Sequence, residues 1–141
     1  MTGLSLFFFS ALAATLLPGG SEVLFIGLLS AEPENAFWFW VLASTGNTLG
    51  ALITFVMGGF LYRWTPAPKL RYWQRWFHLN PTSIERLRSH GPWLLLLSWV
   101  PLIGDGFCLA AGYLGWSKPR SFLLIFIGKT LRYGLIWWWL L

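Results

Sequence analysis

Trp99-Val100-Pro101-Leu102-Ile103-Gly104-Asp105-Gly106 sets a proline, two glycines and a carboxylate inside an apolar run from Trp93 to Trp116. A continuous helix has no use for Pro101, which lacks an N–H and clashes with the preceding turn. Asp105 in hydrocarbon costs about 2.5–3.5 kcal/mol on insertion scales. The stretch therefore predicts two short helical arms meeting at a broken, polar tip. A second copy lies upstream as Pro18-Gly19-Gly20-Ser21-Glu22, where an acid again follows a proline by four residues.

Working outward, the composition says where such tips belong. The chain of 141 residues is 56% apolar and 11% charged, with 11 Trp and 12 Phe. A soluble domain carries about 25% charged residues, and one of this length has too little interior to hide so much aromatic surface. Long apolar blocks interrupted by Gly and Pro and edged by Trp instead fit a polytopic membrane protein. The net charge of +5 is uneven: Arg63, Lys69, Arg71, Arg75, Arg86 and Arg88 share one connection with only Glu85 opposing them. Boxed between apolar segments, these cations read as a cytoplasmic loop under the positive-inside rule rather than as a nucleic-acid surface. The single Cys108 excludes an intramolecular disulfide and reads as a small packing residue. No basic stretch precedes the first apolar run, so no cleaved signal peptide is expected.

Leu4 to Leu17 and Val23 to Leu29 flank the first break. Each arm is shorter than the roughly 20 helical residues that cross a hydrocarbon core. They form either one kinked span with an inside N-terminus or a re-entrant hairpin opening outward. Glu32-Pro33-Glu34 is a turn without bases. Ala36 to Tyr62 is the longest candidate span; Gly46 and Gly50 share one face and admit a close neighbour, and Asn47 is expected to point to protein. Lys69 to Leu79 has Leu70, Trp73 and Phe77 on one stripe, the pattern of a basic amphipathic helix on the inner membrane face, with a solvated loop as the alternative. Thr82 or Ser83 offers an N-cap for a brief helix reaching His90. Arg86 and Arg88 precede the second break while Lys118 and Arg120 follow it, so both flanks favour the cytoplasm and the segment reads as a re-entrant hairpin. Ser121 to Leu141 is the last span, with Lys129 and Arg132 near its middle and Trp137-Trp138-Trp139 at its end.

The halves align. Pro18-x-x-x-Glu22 matches Pro101-x-x-x-Asp105, and Gly46-Asn47-Thr48-Leu49 matches Gly128-Lys129-Thr130-Leu131 at nearly the same offset. The predicted fold is an all-α integral membrane domain over residues 1–141. It consists of two inverted repeats, 1–62 and 91–141, each a broken or re-entrant helical hairpin followed by a transmembrane helix. The basic cytoplasmic loop, 63–90, joins them. Inverted repeats with broken helices place a transport site where the breaks meet.

Glu22 and Asp105 are candidate proton carriers at low-dielectric tips, with a structural ion pair or hairpin cap as the plainer role. Lys129 and Arg132 could attract a phosphate headgroup or pair with those acids; Arg suits bidentate phosphate contact. Pro18, Gly19, Gly20, Pro101, Gly104 and Gly106 would shape the tips. Gly46 and Gly50 serve packing, and Asn47 and Thr130 either hydrogen-bond across the repeat interface or serve packing alone. No catalytic residue, metal or cofactor is expected: Ser21 and Ser98 have no base beside them in sequence, and His78 and His90 have no ligand-like spacing. Four segments barely surround two tips, which makes a homodimer a packing expectation.

Taken together, Leu17-Pro18-Gly19-x-Ser21-Glu22, Gly46-Asn47-x-Leu49-Gly50, Leu95-Leu96-Leu97-Ser98-Trp99-x-Pro101-x-x-Gly104-Asp105-x-x-Cys108, Ala111-Gly112 and Gly128-Lys129-x-Leu131-Arg132-Tyr133 resemble the DedA family, or SNARE-associated/VTT-domain superfamily, in its short bacterial YqaA-type branch. The resemblance implies a bacterial inner-membrane protein with two opposed re-entrant hairpins. It also implies movement of lipid phosphates or phospholipids between leaflets, with protons as the suspected coupling ion. Membrane lipids, anionic or phosphate-bearing, would be its partners, and no nucleic acid. A non-transporting scaffold or membrane-homeostasis factor is the alternative. Better-studied members carry an arginine after the second tip's proline; here the tip reads Pro101-Leu102-Ile103-Gly104-Asp105, and Arg132 is the candidate substitute.

Overall fold

The computed structural model describes residues 2–13, 20–65, 82, 85, 89–100 and 103–140. Pro18, Gly19 and Pro101, the amphipathic helix expected over Lys69 to Leu79, and most of the short helix expected before His90 lie outside them. The described chain is all-helical: α1 (Thr2–Ala13), α2 (Gly20–Ala31), a 3₁₀ turn (Pro33–Asn35), α3 (Ala36–Trp64), a 3₁₀ helix (Gly91–Trp99), α4 (Ile103–Tyr113) and α5 (Lys118–Leu140).

α3 is the axis on which α1, α2, α4 and α5 all pack. Its 29 residues span about 43 Å. It is the one helix, among the described residues, both long and apolar enough to cross a membrane. Its threonine hydroxyls are satisfied within the helix, which suits hydrocarbon: those of Thr45, Thr48 and Thr54 donate to the Val41, Ser44 and Gly50 carbonyls. At its C-terminus Thr65 donates to the Leu61 carbonyl. α5 is long enough at 23 residues, about 34 Å, but its cations keep it out of that apolar class. Its last turn lies beside the first turn of α3, where Trp40 and Trp137 rings approach to 6.3 Å. The two long helices therefore run antiparallel.

The second arm differs in detail from expectation. Gly91–Trp99 is wound as a 3₁₀ helix over nine residues, well beyond the usual three or four. Its Leu-rich sequence has no helical stripe to favour either winding. Val100 is extended (φ −72°, ψ 126°), as a residue before proline prefers to be. The Gly104 N–H donates to the Val100 carbonyl at 2.9 Å. Helix thus resumes at Ile103, and Gly104 and Gly106 belong to the first turn of α4, just as Gly20 begins α2.

Two apolar clusters fill the interior. One joins Leu6 of α1, Phe25 and Leu29 of α2, Ala36, Phe39 and Ala43 of α3, and Tyr133 of α5. The other joins Leu95 of the 3₁₀ helix, Cys108 and Ala111 of α4, Ala51 and Phe55 of α3, Ile125 of α5, and Trp116. Each cluster thus joins the two short helices of one half of the chain to part of each long helix. Glycines allow the close approaches. Gly46 lies so near the Phe7 carbonyl of α1 that any Cβ would collide with it, and Gly58 and Gly112 press on the Leu109 and Phe55 backbones where α3 crosses α4. Gly91 lies under the Trp116 ring, which brings the start of the 3₁₀ helix against the residues that follow α4.

Candidate functional site

Between the clusters lies a polar layer. Along α3 the buried sequence passes from Ala43 through Ser44, Asn47 and Thr48 to Ala51, from one apolar cluster to the other. Along α5 the equivalent passage carries Lys129 and Arg132. Three residues apart, they occupy one helix face.

Both carboxylates meet this face. Glu22 and Asp105 are each the third residue of a short helix, α2 and α4, so the first-turn backbone favours their charge. Lys129 Nζ donates to Asp105 Oδ1 at 2.7 Å, and Arg132 pairs with Glu22. The second pair crosses between the halves of the chain, whereas the first stays within one half. In both, the cation is held inside and the acid is partly open. The Lys129 and Arg132 side chains are 0% and 8% exposed, against 23% and 25% for Asp105 and Glu22. Burying either cation alone would be prohibitive; a close partner makes the placement tolerable.

Next to the ion pairs runs a neutral hydrogen-bond chain. The Asn47 amide donates to the Tyr133 hydroxyl at 3.1 Å, and that hydroxyl donates to Ser21 Oγ at 2.8 Å. Phe25 packs edge-on against the Tyr133 ring at 5.2 Å. Asn47 thus bridges the two halves. Thr130 joins the halves through its backbone: its carbonyl accepts from Trp40 Nε1 at 3.2 Å, while its hydroxyl has no partner among the described atoms. The buried hydroxyls of Ser10, Ser44 and Ser98 are likewise unpartnered there, which leaves polar capacity close to the layer.

The structure brings together the acids, the cations and Asn47 that the sequence singled out, and adds the contacts of Tyr133 and Ser21, which it did not. The available signal was local: Tyr133 follows Arg132, Ser21 precedes Glu22, and any pairing of the latter two brings the former near. Gly50 is buried on α3, and Gly106 faces open space. Among the described residues no group of three or more His, Cys, Asp or Glu is placed to share a metal ion.

The chain is similar to proteins of bacterial origin along nearly its whole length. It is 35% identical to inner membrane protein YqaA of Escherichia coli and of Shigella flexneri over 143 aligned positions, covering 95% of this chain and 94% of each relative. It is 38% identical to an uncharacterized protein of Haemophilus influenzae over 135 positions, 91% of this chain and 80% of that relative. No protein-family model and no solved structure matches it.

Proposed function

Since the chain belongs to the DedA/YqaA family of bacterial inner-membrane proteins, we propose that it moves phosphate-bearing lipids between the two leaflets, with protons exchanged at Glu22 and Asp105. The observation that carries this reading is the gathering of both broken hairpins' acids onto two cations one turn apart on α5. In the paired state each cation is occupied. Protonation of a carboxylate removes the charge that holds its partner, and the freed Arg132 or Lys129 can take a phosphate headgroup; Arg132 offers two parallel donors to it. Deprotonation restores the pair and expels the phosphate.

Several features support an inverted, two-hairpin arrangement behind this cycle. Leu6 and Leu29, near the two ends of the first hairpin, share a cluster with the start of α3. Gly91 and Trp116, at the ends of the second, touch one another. There Tyr113 packs against Tyr62 at the end of α3, ring centroids 5.6 Å apart. The hairpins would then enter from opposite faces and meet at the polar layer, with residues 63–90 in the cytoplasm.

The reading is tested with purified protein in phosphatidylethanolamine–phosphatidylglycerol vesicles carrying a headgroup-labelled phospholipid. Glu22→Gln, Asp105→Asn and Arg132→Ala combined should abolish protein-dependent movement. Unchanged movement would remove the transport reading, and a wild-type protein that moves no phospholipid or lipid phosphate would favour a scaffold.

A further inference from the structure

We infer that Tyr133 is a positioning residue that sets when Glu22 holds Arg132. This rests on Glu22 being a carrier as read above. The first turn of α2 is fastened to α5 at two adjacent points. Glu22 pairs with Arg132, and the residue before it, Ser21, accepts from the hydroxyl of the residue after that arginine, Tyr133. The hydroxyl is fixed from its other side by Asn47 of α3, and its ring by Phe25. Tyr133 is fully buried, so its geometry is dictated by these contacts and not by solvent. The neutral fastening survives any change in charge on Glu22. It keeps the tip beside Arg132 while the ion pair is open, so that re-pairing is a local closure and not a search.

The groups able to influence Glu22 are few. Of the elements packed on α2, α1 has no titratable side chain, and α3 has only Tyr62 and Arg63, at its far end. Glu32 and Glu34 lie at the opposite end of α2. α5 presents Arg132 and Tyr133, then Lys129 with its own partner Asp105 one turn away, while Lys118 and Arg120 are at its distant start.

The test is the thermal stability of the detergent-purified full chain across pH, in four proteins: wild type, Tyr133→Phe, Glu22→Gln and the double variant. Tyr133→Phe keeps the ring against Phe25 and removes only the hydroxyl. If Tyr133 acts through Glu22, losing the hydroxyl weakens the hold on the carboxylate. The acid-side loss of stability then sets in about half to one pH unit higher than in wild type. In the Glu22→Gln background the same change should lower stability evenly, with no displacement along the pH axis. Ser21→Ala, which removes the other partner, should reproduce the Tyr133→Phe displacement. An equal, pH-independent loss in both backgrounds, or a profile identical to wild type, overturns the assignment. In the phospholipid-movement assay, the rate profile of Tyr133→Phe should move by the same amount in the same direction. Absence of movement by the wild type would end the transport reading alone, because the stability profile reads the tip without it.

Discussion

The two ion pairs look equivalent by position and are not equivalent by construction. Each acid is the third residue of a short helix after a break, and each cation belongs to α5. Yet Asp105–Lys129 is confined to the second half of the chain, while Glu22–Arg132 joins the first half to the second and has the Ser21–Tyr133–Asn47 chain beside it. The cause is visible in the alignment of the halves: where α5 has Lys129, α3 has Asn47. The two matched stretches of sequence differ in charge, with α3 supplying a neutral amide and α5 supplying both cations. A symmetric frame can thus present an asymmetric site.

The comparison can be broken most severely at Lys129. Lys129→Met leaves the Asp105 charge without its partner in a mostly buried setting, at a cost of about 3–5 kcal/mol. It should show as a large loss of folded, monodisperse protein in detergent. Pairing it with Asp105→Leu should recover much of that loss, since a well-packed apolar pair can replace an ionic one. Next come the matched glycines. A Cβ at Gly46 meets the Phe7 backbone carbonyl, whereas a Cβ at Gly128 first meets the Ser98 hydroxyl at 2.5 Å, an atom that can rotate away. Gly46→Ala should therefore cost about 1–3 kcal/mol and Gly128→Ala distinctly less, both read from melting in detergent. A reversed order would show that the two halves pack by different rules.

The smallest effect belongs to Gly106, where nothing lies within 4 Å of a Cβ. Gly106→Ala should stabilise by about 0.5–1 kcal/mol, because alanine loses less backbone freedom in a helix. Gly115, at φ 67° in the turn after α4, provides the contrast. Gly115→Ala should lower stability by about 1–2 kcal/mol, since the left-handed conformation crowds a Cβ. The same melts measure both.

What sequence disclosed follows from how local each cause is. Proline and glycine punctuate the chain wherever it goes, so the end of the 3₁₀ helix at Val100, ahead of Asp105, was legible. So was α3, whose length is set by a long apolar run, and so was α5 despite the two cations near its middle. Gly46 was legible because small residues four apart serve one purpose in lipid. The partners of the charges were not. Glu22 could have met Lys129 or Arg132, and the choice depends on how deep each tip sits against α5. Tyr133 was hidden for a similar reason: its hydroxyl is meaningful only once α2 and α3 arrive from two sides. The winding of Gly91–Trp99 was also out of sight, because a run of leucines supports more than one helical pitch.

That winding has a mechanical side. Nine residues coiled as a 3₁₀ helix extend about 4–5 Å farther than the same residues coiled as an α-helix. Asp105 meets Lys129 with the Gly91–Trp99 segment at that length. Relaxing the coil by half a residue per turn would withdraw the carboxylate from the amine with every covalent bond and every α5 side chain left in place. The reach of that segment is governed by pitch as well as by length.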